Sequence, residues 1–134
     1  MSALTEFLFP APAGRTTKAI VVWWERRRLA YNAWVGAAGL VSVGMITLAS
    51  LVLGGGFLIG PPLIGAGIFA AMANVCYLIG PTTELFIDKL WGRQVLPTGP
   101  TLYRAGLTFS VGLALFPALL TVIALAVGFV AGIL

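Results

Sequence analysis

The sequence predicts an all-α integral membrane protein: three transmembrane helices plus a short interfacial helix, with the N-terminus inside and the C-terminus outside. Three observations carry this prediction. Hydrophobic residues make up 60% of the chain and charged residues 9%, against about 25% charged in an average soluble domain. Three long stretches carry no charge, and each is long enough for one crossing. Threading them through a bilayer gathers every charge on one side. Glu6, Arg15, Lys18, Glu25, Arg26, Arg27 and Arg28 precede the first stretch; Glu84, Asp88, Lys89, Arg93 and Arg104 lie between the second and third. Cationic residues concentrate in cytoplasmic loops, which sets the orientation.

The 134 residues read as a single membrane domain. Residues 1–32 are expected to be a cytoplasmic N-terminal loop and interfacial segment. Pro10, Pro12 and Gly14 keep residues 2–16 from forming a long helix. MSALTEFLFPAPAG has an acid where a signal peptide needs a base, and Pro10 cuts its apolar run short, so it is expected to be retained. Ile20 to Trp24 are apolar and Glu25 to Arg28 are charged. That segment reads as turning helical near Glu25 and running into the first span, with a short strand at IVVWW as the alternative.

Span one covers residues 33–53, about 31 Å of helix. Gly54, Gly55 and Gly56 end it and suit a tight hairpin, because glycine tolerates positive backbone dihedrals. Span two covers residues 59–79, opening at Pro61 and Pro62 and stopping before Gly80 and Pro81. Residues 80–104 form a cytoplasmic loop with a short helix at 82–92. There Leu85, Phe86, Leu90 and Trp91 would face the membrane and Glu84 and Asp88 the water. Span three covers residues 105–132, about 42 Å, one tilted crossing with a kink expected at Pro117. In this arrangement Trp23, Trp24, Tyr31, Trp34, Tyr77, Trp91 and Tyr103 form an aromatic belt at the inner end. The outer end has neither charge nor belt, and a neighbour is expected to cover it.

No aspartate, glutamate, lysine or arginine lies inside the spans, which argues against a pump, a proton-coupled transporter or a voltage sensor. Asn74 is the strongest polar group at depth. It is expected to hydrogen-bond a neighbouring helix, or else to touch a pigment, quinone or lipid. In span three Gly106, Ser110, Ala114, Ala118, Thr121, Ala124, Gly128 and Gly132 recur about every 3.7 residues, a seam on which another helix can pack closely. Span two has a shorter seam in Ala66, Ala70 and Asn74, and span one has Ala38 and Ser42.

Candidate chemistry is sparse. No histidine occurs, which removes the commonest metal and haem ligand and the usual general base. Cys76 is the single cysteine and reads as a small buried hydrophobe. Glu84 and Asp88, spaced i,i+4, are better read as inner-face ion pairs with the arginines, Arg104 among them, than as a metal or catalytic pair. In the run WWERRR, Trp23, Trp24, Arg26, Arg27 and Arg28 could dock a lipid headgroup or a partner, or simply serve as positive-inside anchoring. Basic residues outnumber acidic ones by eight to four on that face, which favours anionic phospholipids or an acidic partner over nucleic acid. Nothing resembles a nucleophile–base pair or a phosphate loop.

Arg27, Arg28, Tyr31 and Asn32 at the entry to span one spell RRxxYN, and Asn74, Tyr77, Gly80, Pro81 and Glu84 at the exit of span two spell NxxYxxGPxxE. The pattern resembles a family of small, uncharacterised bacterial inner-membrane proteins, over residues 25–84. The resemblance implies a multi-pass bacterial inner-membrane location and no particular activity. The expected role is a non-catalytic accessory subunit of a multi-subunit membrane complex, packed among larger membrane-protein subunits. An energy-transducing complex, respiratory or photosynthetic, comes first because such complexes are common, not because any residue names one. No cofactor would be ligated, though lipids or carotenoid or pigment tails could fill grooves. A small homo-oligomeric transporter or channel and a lipid-binding membrane protein are the alternatives.

Overall fold

A computed structural model describes residues 16–91 and 98–132. Among them it contains four helices: α1 (Thr17–Val52), α2 (Gly60–Tyr77), α3 (Ile79–Trp91) and α4 (Gly99–Val130). The expectations for residues 2–15, for Glu6 and Arg15, and for the Arg93 loop fall outside the described residues. Three stretches are long and apolar enough to cross a membrane: α1, α2 continued by α3, and α4. The chain is thus a multi-pass membrane protein by the length and composition of its helices.

α1 begins well before Glu25. Thr16 caps it, its side-chain oxygen accepting from the Ala19 N–H at 3.2 Å. The segment IVVWW is helical, not a strand. Its β-branched residues are outweighed by the burial of Ile20, Trp23 and Trp24 at helical spacing. The helix stops at the three glycines. Gly54 takes φ +74° while its N–H donates to Leu51 O and the Gly55 N–H to Ser50 O, which closes the orphaned carbonyls in a Schellman arrangement. Thr47 then donates to Leu58 O at 3.1 Å, holding the turn against α1.

Gly80 and Pro81 do not end the second helical stretch. One residue, Leu78, separates α2 from α3, and both Gly80 and Pro81 sit in the first turn of α3. Proline is accepted there because first-turn N–H groups have no helical acceptor. α4 starts at Gly99, six residues before the expected position, with Pro100 in its first turn. Pro117 lies inside the continuous helix, where its missing N–H leaves the Leu113 carbonyl without its usual donor.

α1 is the hub. It packs most extensively on α4 and next on α2, while α2 and α4 scarcely meet. Buried residues run along α1 from Ile20 to Ala49, whereas on α2 they are Ala73 and Tyr77 and on α4 they lie from Gly99 to Ala118, toward the charged end. Beyond Ala118, α4 has no buried residue, and neither has α2 before Ala73. Many large apolar side chains point outward, as suits lipid contact.

Candidate functional site: an aromatic clasp and a groove

Of the residues singled out for headgroup docking, Trp23 and Trp24 belong to the core of the charged end, while Arg26 is exposed and Arg27 and Arg28 are half-buried. Trp24 is 2% exposed, and Trp23, Tyr31, Tyr77 and Tyr103 are also buried. Helical spacing places Trp24, Tyr31 and Val35 on one face of α1, and Tyr77 and Tyr103 close over that face from α2 and α4. Trp24 meets Tyr77 edge-on at 5.5 Å and Tyr103 at 6.1 Å between centroids, and Tyr31 lies 4.7 Å from Tyr77. Of the seven belt residues, Trp34 and Trp91 do face outward, 63% and 62% exposed. The rings of Trp23 and Trp24 are taken up in packing three helices at one end.

The carboxylates also depart from expectation. Glu84 is 3% exposed and is not on a wet face. Its Oε2 accepts from Trp24 Nε1 at 2.6 Å, and its carboxyl group lies against Gly99 at the start of α4. Asp88 is half-buried, with Oδ1 enclosed and making no hydrogen bond. Among the described residues neither acid forms an ion pair. A salt bridge runs instead within α1, from Arg28 to Glu25 at 3.3 Å. Arg26 and Arg104 are exposed, whereas Arg27 stacks 3.9 Å over the Trp23 ring and Arg28 lies 5.4 Å from the Tyr77 ring centroid.

Hydroxyls and amides bridge the helices deeper in. Tyr77 donates to the Trp24 carbonyl at 2.6 Å, and Asn74 Nδ2 donates to Asn32 Oδ1 at 2.9 Å. Tyr31 donates to the Ala73 carbonyl at 3.2 Å, so the 2.7 Å contact with Ser110 has the serine as donor. Ser42 donates to the Ala114 carbonyl at 2.6 Å. Thr121 turns back to Pro117 O in its own helix. The resemblance motifs thus converge: Tyr31, Asn32, Asn74, Tyr77, Gly80 and Glu84 all belong to the contacts that join α1 to α2 and α3.

The small-residue line of α4 divides in two. Ser110, Ala114 and Ala118 are buried and Thr121 is half-buried, whereas Gly106, Ala124 and Gly132 are exposed and Gly128 is half-buried. Cys76 is exposed, contrary to the buried-thiol reading, and borders the hollow between α2 and α4.

Between α2 and α4, with α1 as floor, two hollows lie in line. One, of about 340 Å³, is bordered by Tyr31, Tyr77, Leu102, Tyr103, Gly106 and Ser110. The other, of about 280 Å³, is bordered by Gly39, Ser42, Ala66, Phe69, Leu113 and Pro117. No group of acidic or thiol side chains among the described residues could hold a metal ion. Compared with known proteins, the chain matches no family model, no curated protein and no solved structure.

Tyr31→Phe removes a hydroxyl that serves two helices and strands Ser110 in the interface. Unfolding in mixed micelles should show a loss of about 1–2 kcal/mol. Ser42→Ala, which deletes one bond, should lose less.

Proposed function

We propose that this chain is a non-catalytic accessory subunit of a multi-subunit bacterial inner-membrane complex, an energy-transducing one being the first to seek. Its charged end would lie on the cytoplasmic side. The observation that supports this reading is the uneven use of α4. Ser110, Ala114 and Ala118 pack within the chain, while Ala124 and Gly128 continue the same line where no residue is buried. In lipid, small residues drive helix association by allowing close van der Waals contact, so this stretch is suited to a helix from another subunit. Of Thr108, Ser110 and Thr121, the hydroxyls that a pore would place around water, Ser110 and Thr121 already bond to protein groups, which supports the subunit over the channel, while Thr108 is exposed.

The test is gentle solubilisation of native membranes, capture of this chain, and identification of what co-migrates by mass and absorbance. Stoichiometric recovery with larger subunits is the expected result; recovery of self-associated chains alone would refute the proposal. Replacing Ala124 by leucine should release the partner while leaving the isolated chain's unfolding midpoint unchanged, since Ala124 is exposed within it.

A further inference from the structure

We propose that the groove between α2 and α4 holds one acyl chain of an anionic phospholipid, whose phosphate lies against the arginines at the groove's charged end. This goes beyond the subunit proposal and does not depend on it.

The groove exists because α2 and α4 both lean on α1 and hardly on each other. α1 floors both hollows: Trp24 and Tyr31 border the first, and Gly39, Ser42, Val43 and Ile46 the second. Those spacings keep all six residues on one helical face. The floor and walls are almost wholly apolar. Most hydroxyls that reach them are already bonded: Tyr31 to Ala73 and Ser110, Tyr77 to the Trp24 carbonyl, and Ser42 to Ala114. Thr83 and Cys76 add one hydroxyl and one thiol to the border of the first hollow. A polar solute would find few partners there, whereas a hydrocarbon chain asks only for packing contacts. A second helix, about 10–12 Å across with its side chains, is too wide for hollows of about 340 and 280 Å³.

Charge identifies the amphiphile and its direction. The chain carries a net charge of +4, and no charged residue occurs between Arg28 and Glu84 or after Arg104. The groove therefore runs from a cationic end to an uncharged one. At the cationic end Arg28 lies 5.4 Å from the ring of Tyr77, which borders the first hollow. Its Nη1 pairs with Glu25 at 3.3 Å, and its Nε is enclosed and makes no hydrogen bond among the described residues. Arg104 is exposed, directly before Ala105 and Gly106, which border the same hollow. Guanidinium groups at the mouth and hydrocarbon walls beyond match a phosphate head followed by an acyl tail.

Two glycines make the test clean. Gly106 borders the first hollow and Gly65 the second, and a Cβ added at either meets nothing within 4 Å. A larger side chain therefore starts from open space at the border of each hollow. The purified full-length chain, delipidated in detergent, is incubated with phosphatidylglycerol or with phosphatidylcholine of the same acyl composition and weighed by native mass spectrometry. The expected result is one retained phosphatidylglycerol, with phosphatidylcholine held about tenfold more weakly. Gly106→Leu and Gly65→Leu should each abolish retention with circular dichroism unchanged. Arg28→Gln should weaken phosphatidylglycerol about tenfold, the loss of one charge-assisted hydrogen bond, and leave phosphatidylcholine as it was. Equal retention of the two lipids, or retention unaffected by both leucines, overturns the proposal, as does a dimer that excludes lipid. If both glycine variants fail to fold, the groove is not open space and the proposal falls with it.

Discussion

Trp24→Ala is expected to cost about 3–5 kcal/mol of stability, the range for deleting a fully packed aromatic side chain. The indole stands where all three long helices meet. It touches Trp23, Tyr77 and Tyr103 edge-on, and its N–H is the hydrogen-bond donor to a carboxyl group 3% exposed. Alanine leaves a cavity and strands Glu84 together. The two contributions separate by substitution. Trp24→Phe keeps most of the ring and removes the donor, so it should cost about 1–3 kcal/mol, the penalty for an unsatisfied buried polar group. Adding Glu84→Leu to Trp24→Phe should recover part of that loss, because removing both partners leaves nothing unpaired. Equilibrium unfolding of the wild type, Trp24→Phe, Glu84→Leu and the double variant in mixed micelles measures the coupling. Additive losses would show that the 2.6 Å contact contributes nothing to folding.

Gly80→Ala is the second large effect, expected at about 1–3 kcal/mol from overpacking. A Cβ at Gly80 collides with the six-membered ring of Trp24. The ring cannot withdraw, since the tyrosines enclose it on one side and its N–H is held by Glu84 on the other. The readout is the unfolding midpoint together with the tryptophan emission maximum, which should shift as Trp24 is displaced. Gly36→Ala is the control, since a Cβ there meets nothing within 4 Å. An equal loss at Gly36 would assign the effect to membrane-helix glycines in general and not to the indole.

The helices were legible because charge-free length is a local property of the chain. Three uncharged stretches became three long apolar helices, and the Gly54–Gly56 run became a hairpin whose positive φ at Gly54 and Gly56 needs glycine. The clasp was not legible, because its partners lie far apart in the chain. Trp24 and Glu84 are 60 residues apart, and Tyr31 and Ser110 are 79 apart. A tryptophan beside three arginines reads as an interface anchor until the helix that covers it is known. The pair Tyr77 and Gly80 did carry a signal: a small residue one turn from a tyrosine at a helix joint is what a close-packed ring requires. Gly80 was read as a stop instead, because glycine followed by proline ends most helices. Spacing sets the small residues of α4 along one face, but spacing is blind to which of them are buried: Ser110, Ala114 and Ala118 are, and none beyond Ala118 is.

The hub position of α1 has a consequence for the order of assembly. During synthesis α1 emerges first, yet its inward face is completed only by residues made much later. After α2 and α3 appear, Tyr31 has Ala73 and Trp24 has Glu84, but Ser110 and Tyr103 are still missing, and Ser42 waits for Ala114. A nascent two-span hairpin thus presents an unfinished polar face to the bilayer, which quality-control proteases and insertion factors could recognise. A chain truncated after Trp91 should be degraded in the cell, and co-expression of residues 98–134 as a separate fragment should protect it.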